Sequence, residues 1–180
     1  GPYDGKVPGR MGNAHQNVVP YQVFETAPNP QGERDHMILA VGNDGQFERF
    51  CQVAGVPHLS ADARFTRNAE RVHHRELLVA QLEPILKSRT RQDWIQALEK
   101  AKVPCGPING LADVFADPQV VARGMKVPVP HPANEHLHLV ASPIKMSLTP
   151  PVVVHPPPLL GQHTREILSE LGLSAQQQAE

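Results

Sequence analysis

Gly9-Arg10-Met11-Gly12-Asn13-Ala14-His15-Gln16-Asn17-Val18-Val19-Pro20-Tyr21-Gln22-Val23-Phe24 begins as a polar loop and runs directly into a strand-like segment. Two glycines, two asparagines and a histidine fall within its first nine residues, so main-chain freedom and hydrogen-bonding groups are concentrated there. Pro20 closes the loop, because its ring fixes φ and biases the residue before it to an extended conformation. Glycine lets main-chain N–H groups approach a ligand, and loops on a rigid scaffold often carry binding chemistry. Composition leaves two readings open: a ligand-facing loop over Gly12–Asn17, or a linker that merely leads into a domain.

Outward from this loop, Tyr21 to Thr26 reads as a strand with Tyr21, Val23 and Glu25 on one face. Pro28-Asn29-Pro30-Gln31-Gly32 supplies turn chemistry, and His36 to Val41 is a near-continuous apolar run suited to a well-buried strand. The short connection predicts an antiparallel hairpin. Gly42-Asn43-Asp44-Gly45 then starts a helix with Asn43 or Asp44 as N-cap. Phe47, Phe50, Cys51 and Ala54 recur at helical spacing before a stop at Gly55. Cys51 on that stripe reads as a small core residue.

Ser60 to Asn68 reads as polar and turn-like. Leu78, Leu82, Ile85 and Leu86 predict an amphipathic helix, with Pro84 expected to kink or divide it. His73 and His74 are adjacent, and a helix would point them about 100° apart, too far for one metal ion. Thr90 caps a helix whose stripe is Trp94, Ile95 and Leu98. Val103 to Asn109 reads as a proline-bounded loop that holds Cys105 in a packing role, since no histidine nearby in sequence would activate the thiol. Short helices are expected over Leu111–Phe115 and from Asp117 to Gly124. Paired strands are expected over Met125–Val129 and His136–Val140, and a further strand over Ile144–Leu148. His136 and His138 share a strand face, which reads as polar surface without a third ligand. Residues 149–161 form a proline-rich connector, followed by an amphipathic helix over Gln162–Leu171.

The 180 residues suffice for one domain with an appendage. Seventeen basic and eighteen acidic residues give a net charge of −1, which offers no electrostatic case for nucleic acid or an anionic membrane as partner. Two cysteines without metal-ligand spacing fit a reducing cytoplasm. No apolar run approaches the ~18 residues of a membrane span, and no signal peptide is visible. Gly1-Pro2 looks like a protease-cleavage scar, and with no initiator methionine the chain is expected to be a piece of a larger protein.

Several blocks then carry a resemblance. They are Gly9–His15 leading into Val19–Phe24; Ala40–Phe47; Arg64-Phe65 with Asn68-Ala69 and Arg71-Val72; Val103–Asn109; Val114–Val120; and Pro156–Thr164. In this order the chain resembles the latter half of the family III CoA-transferases of the CaiB/BaiF type. The resemblance implies an α+β fold: a small domain with an antiparallel sheet flanked by helices, and an extended return segment and helix belonging to a missing Rossmann-like large domain. It implies a lead-in linker and lid loop over 1–20, the small domain over 21–148 and the return over 149–180.

The chemistry so implied is CoA exchange between carboxylic acids through an enzyme aspartate, with coenzyme A as part of the substrate and no tightly bound cofactor. A covalent route of this kind splits a poor exchange into easier steps, and its intermediates need shelter from water. Relatives use a glycine-rich loop for shelter. Gly12, Asn13, Ala14, His15, Gln16 and Asn17 occupy its place without the consecutive glycines, which implies a less mobile lid. His15 is the residue expected to meet a carboxylate substrate, with bracing of the loop as its other reading.

None of Asp35, Asp44, Asp62, Asp93, Asp113 or Asp117 matches the family nucleophile, which implies that this chain alone is inactive. The implied partners are acyl-CoA, a small carboxylic acid and a second copy in a homodimer. An α-methylacyl-CoA racemase part and a non-catalytic interaction module are the alternative readings.

Overall fold

In the computed structural model, which describes residues 9–178, strand β1 (Tyr21–Glu25) and strand β2 (His36–Ala40) form the expected antiparallel hairpin, with Tyr21 opposite Ala40 and Glu25 opposite His36. The part of the lead-in linker before Gly9 lies outside the described residues. Asn29 Oδ1 shapes the turn by accepting from the N–H groups of Gln31 and Glu33 at 3.0 and 2.8 Å. Met37, Leu39 and Val41 are fully buried while Ile38 and Ala40 are half-buried, so the apolar run of β2 alternates where the sequence reads as continuous. On β1 the buried residue is Phe24, followed by Thr26 on the same face.

A third strand, β3 (Cys105–Pro107), pairs antiparallel with β2, giving the order β1-β2-β3. This corrects the loop expected over Val103–Asn109. Proline removes a donor but keeps its carbonyl, and Ala40 N–H donates to Pro104 O at 3.0 Å.

Contacts divide the chain into two units, one ending at Ile108 and one beginning at Asn109. Helices α1 (Asp44–Val53), α2 (Pro57–Ala61), α3 (Asn68–His73), α4 (Arg75–Leu86) and α5 (Arg91–Lys100) complete the first unit. Asn43 is the N-cap of α1, its Oδ1 accepting from Gln46 N–H at 2.9 Å, which leaves Asp44 for other work. Gly55 stops the chain beyond α1 at φ 75°, a left-handed conformation that glycine adopts without penalty. Ser60 belongs to α2, opened by Pro57 at its first position, so the polar turn is shorter than expected.

Pro84 does not divide α4. It is exposed in the last turn, so the helical bond it removes frees an Ala80 carbonyl on an exposed face. The break comes earlier, at His74 (φ −103°, ψ 27°), between α3 and α4. Leu78, Leu82 and Leu86 of α4 and Trp94 and Leu98 of α5 are fully buried with Phe47, Phe50 and Cys51 of α1.

Cys51 sits in that apolar packing, and burial pushes its thiol from the ordinary 9.0 up to about 12. A folded-state pKa above the unfolded one contributes stability that is complete below pH 9 and is lost as pH rises through about 12. Urea titrations across this alkaline window should therefore show a steeper loss for the wild-type chain than for Cys51→Ala. Equal losses would contradict the assignment.

The second unit holds α6 (Leu111–Ala116), α7 (Pro118–Ala122), strands β4 (Lys126–Pro128) and β5 (His138–Val140), and α8 (Thr164–Glu170). Asp117 caps α7 through the N–H groups of Gln119 and Val120. β4 and β5 pair antiparallel but keep only three residues each, and α8 is shorter than the expected Gln162–Leu171. Ile144–Leu148 forms no strand: Ile144, Met146 and Leu148 are exposed and make no ladder. Among the described residues of this unit, Val129 alone is a buried hydrophobic residue, while Leu111, Leu148, Leu160, Ile167 and Leu171 are exposed. No described helix is long and apolar enough to cross a membrane.

Candidate functional site

The Gly12–Asn17 loop is exposed except for Ala14, yet both of its roots are tied down. Gly12 takes φ 61°, a conformation costly for any residue with a Cβ, and starts the turn in which Ala14 N–H donates to Met11 O. Asn13 Oδ1 accepts from Val23 N–H at 3.0 Å, and His15 N–H donates to Tyr21 O at 2.8 Å. The loop is therefore laced to the outer strand β1, which it precedes.

The His15 ring stacks on Tyr21 with centroids 5.1 Å apart and planes 18° apart. Its Nδ1 accepts from Asn17 N–H at 3.1 Å, which assigns the proton of the neutral ring to Nε2. The exposed imidazole thus presents Nε2–H as a donor, and the loop braces the ring as much as the ring braces the loop. These contacts are the bracing read for His15 in the sequence.

The other wall of the site comes from α3 and the start of α4. Asn68 Oδ1 accepts from Val19 N–H at 3.1 Å, and Asn68 Nδ2 donates to Asn17 O at 2.8 Å. Arg75 Nη2 donates to His15 O and Gln16 O at 2.8 and 2.7 Å. Arg71 is fully buried, and its Nε, Nη1 and Nη2 reach Val19 O, Phe65 O and Asp44 Oδ1 at 2.7, 2.8 and 3.0 Å. Its guanidinium lies 4.5 Å from the Phe47 ring centroid. Burial lowers the Arg71 pKa, and the Asp44 carboxylate opposes that shift. Asp44 also accepts from Asn68 N–H at 2.9 Å, so one carboxylate ties α1, α3 and the loop's far root together.

Beside this wall, Arg64, Val72, His73, His74, Arg75, Glu76 and Leu77 line an open cleft of about 610 Å³. The His73 and His74 rings lie 4.7 Å apart with planes tilted 45°, His73 ending α3 and His74 forming the break before α4. Among the described residues no group of three His, Cys, Asp or Glu is placed to hold a metal ion.

The aspartates are taken up in local structure. Asp35 pairs with Arg91 at 3.2 Å, Asp93 accepts from the Thr90 hydroxyl, and Asp113 accepts from Gly110 N–H. Arg64 chelates Asp62 and holds its carboxyl down at about 2. Cys105 is half-buried, its Sγ faces Ile95 O at 3.9 Å, and burial together with Glu99 raises its pKa, the opposite of thiol activation. His136 and His138 are exposed while Leu137 and Leu139 are half-buried, which is the alternation expected of that strand.

Asn68, Arg71 and Arg75 carry no site role in the sequence reading, which places Asn68 at the end of a polar turn, reads the following helix by its leucines, and names Asn68 and Arg71 only within the blocks of the resemblance. The signal was available. Asn68 and Arg71, at i and i+3, share a face of α3, and Arg75 follows at the start of α4, directly ahead of the Leu78 stripe.

The sequence profile of CoA-transferase family III matches residues 2–164. The chain is 40% identical over 171 residues to the succinate–glutarate CoA-transferase of Agrobacterium fabrum, covering 93% of this chain and 40% of that one. It is 33% identical over 162 residues to the human succinyl-CoA:glutarate CoA-transferase, covering 90% of this chain and 36% of that protein. A crystal structure of a CaiB/BaiF family protein from Brucella suis superposes with a TM-score of 0.72 at 40% identity, covering 93% of this chain and 42% of the other. The chain spans about two-fifths of the length of these relatives. With the profile matched over nearly its whole length, the chain belongs to CoA-transferase family III.

Proposed function

We propose that this chain is the C-terminal part of an acyl-CoA:carboxylate CoA-transferase, in which it supplies a substrate-facing loop and its support. The observation that carries the reading is the Gly12–Asn17 loop: exposed, anchored at both roots, and presenting His15 Nε2–H outward. A carboxylate needs fixed donors, and the neighbouring cleft offers the rings of His73 and His74 beside Arg75, with Glu76 as its one acidic lining residue. The names of the relatives support small dicarboxylic acids of the succinate and glutarate kind as the exchanged pair.

In this reading the nucleophilic aspartate lies in an upstream Rossmann-like domain, since the aspartates described above serve caps, turns and ion pairs. The aspartate displaces CoA from the donor acyl-CoA to give a mixed anhydride, and CoA attacks the aspartyl carbonyl and releases the donor acid. The acceptor acid then takes CoA from the resulting enzyme–CoA thioester through a second anhydride. Residues 1–20 lead in, 21–148 form the small domain, and 149–180 return to the large one. The apolar residues exposed on the second unit, Leu148 and Leu160 among them, support such a covering surface. The working enzyme is a cytoplasmic homodimer.

In the full-length enzyme, His15→Ala should raise the apparent KM for the acceptor acid or lower kcat. Unchanged values of both would remove His15 from the site. The 180-residue chain made alone should self-associate through its exposed apolar residues, read by light scattering as mass rising with concentration. A clean monomer at high concentration would contradict this part of the proposal.

A further inference from the structure

We infer that Arg75 and Asn68 are positioning residues that set how well the enzyme keeps water from its acyl intermediates, an inference that rests on the CoA-transferase reading above. The carbonyls of three successive loop residues, His15, Gln16 and Asn17, are all held by α3 and α4: two by Arg75 Nη2 and one by Asn68 Nδ2. A peptide whose carbonyl is fixed on one side presents its N–H on the other. Among the described residues the N–H groups of Gln16 and Val18 have no partner. Together with His15 Nε2–H they form the loop's outward donors.

Arg75 is an unusual choice for a merely structural contact. It has no acidic partner among the described residues, its Nη1 is buried without an acceptor, and burial lowers its pKa with no opposing charge. A buried donor without an acceptor is destabilising, so the position bears a penalty that a smaller apolar side chain would avoid. What the guanidinium supplies in return is one nitrogen that grips two adjacent carbonyls with charge-assisted bonds. Asn68 grips the next residue from α3 while Arg71 and Asp44 lock α3 to the core. The loop is thus held from β1 on one side and from α3 and α4 on the other, the helices supplying the grip on its last three carbonyls.

The competing reaction defines the role. At the enzyme-bound thioester, water in place of the acceptor acid adds to the carbonyl carbon and the C–S bond breaks. CoA leaves as the thiol, taking up a proton that the attacking water gives, and the enzyme carboxylate is restored. Loosening the loop admits water without altering the nucleophile.

The test uses the full-length enzyme with an acyl-CoA donor and a dicarboxylate acceptor. It measures free CoA released per CoA transferred in Arg75→Lys, Arg75→Gln and Asn68→Ala, compared where the melting transition is that of the wild type. The ratio should rise about tenfold or more, the scale of one lost charge-assisted hydrogen bond. An unchanged ratio in folded variants would overturn the inference while leaving the CoA-transferase reading intact. Unfolding of all three variants would also overturn it, because the residues would then be structural. A wild-type enzyme that transfers no CoA would instead remove the reading beneath it.

Discussion

Replacing Arg71 with alanine is expected to cost the chain about 3–5 kcal/mol of folding stability, from a large side chain removed from the core and two buried carbonyls left without a donor. Arg71 is fully buried, and all of its guanidinium nitrogens are bonded. Truncation leaves the Val19 and Phe65 carbonyls without their donor and empties the volume against Phe47. It also removes the cation that Asp44 faces, although Asp44 is partly exposed and water can compensate there. Urea denaturation measures the loss. Hydrogen exchange adds a local readout, because the Val19 carbonyl is one root of the loop, so amides over 15–19 should exchange faster in a milder Arg71→Lys variant. A loss below about 1 kcal/mol, the level of an ordinary surface change, would show that the hub carries no load.

Trp94→Ala is the second large effect, again about 3–5 kcal/mol, as for other buried large aromatics cut to alanine. Trp94 is fully buried between α4 and α5, its Nε1–H donates to Leu86 O at 2.7 Å, and Arg89 covers its ring at 4.5 Å. The companion Trp94→Phe separates the two contributions. It keeps most of the apolar contact and orphans the Leu86 carbonyl, so it should cost about 1–3 kcal/mol. If the phenylalanine variant were as damaged as the alanine variant, the hydrogen bond would dominate and the packing account would be wrong. Since α4 positions Arg75, both variants also bear on the loop.

Elements governed by local rules were legible in the sequence. The β1–β2 hairpin followed from its turn residues, α1 and α5 from caps and stripes, and Cys51 from its place on the α1 stripe. Misreadings arose where long-range partners override local signals. β3 exists because β2 offers an open edge and because Pro104 still accepts from Ala40 N–H, facts invisible in a stretch that reads as a proline-bounded loop. Pro84 was overrated, since a proline in an exposed last turn frees only a carbonyl that lies on the surface. Ile144–Leu148 has strand composition and no partner strand.

The site divides in the same way. Gly12–Asn17 was visible as a loop rich in donors and acceptors, but its anchors were not. Val19 and Arg71 are bonded across 52 positions, and His15 and Arg75 across 60. No local pattern reports a pairing of that span. The polar residues Asn68, Arg71 and Arg75 flag candidates without naming their partners.

The most direct test of the account is CoA transfer from succinyl-CoA to glutarate, measured side by side with the 180-residue chain and with the full-length protein. The account predicts turnover by the full-length protein, none by the chain alone, and no turnover regained on mixing donor, acceptor and chain at high concentration. Transfer catalysed by the chain unaided would contradict it.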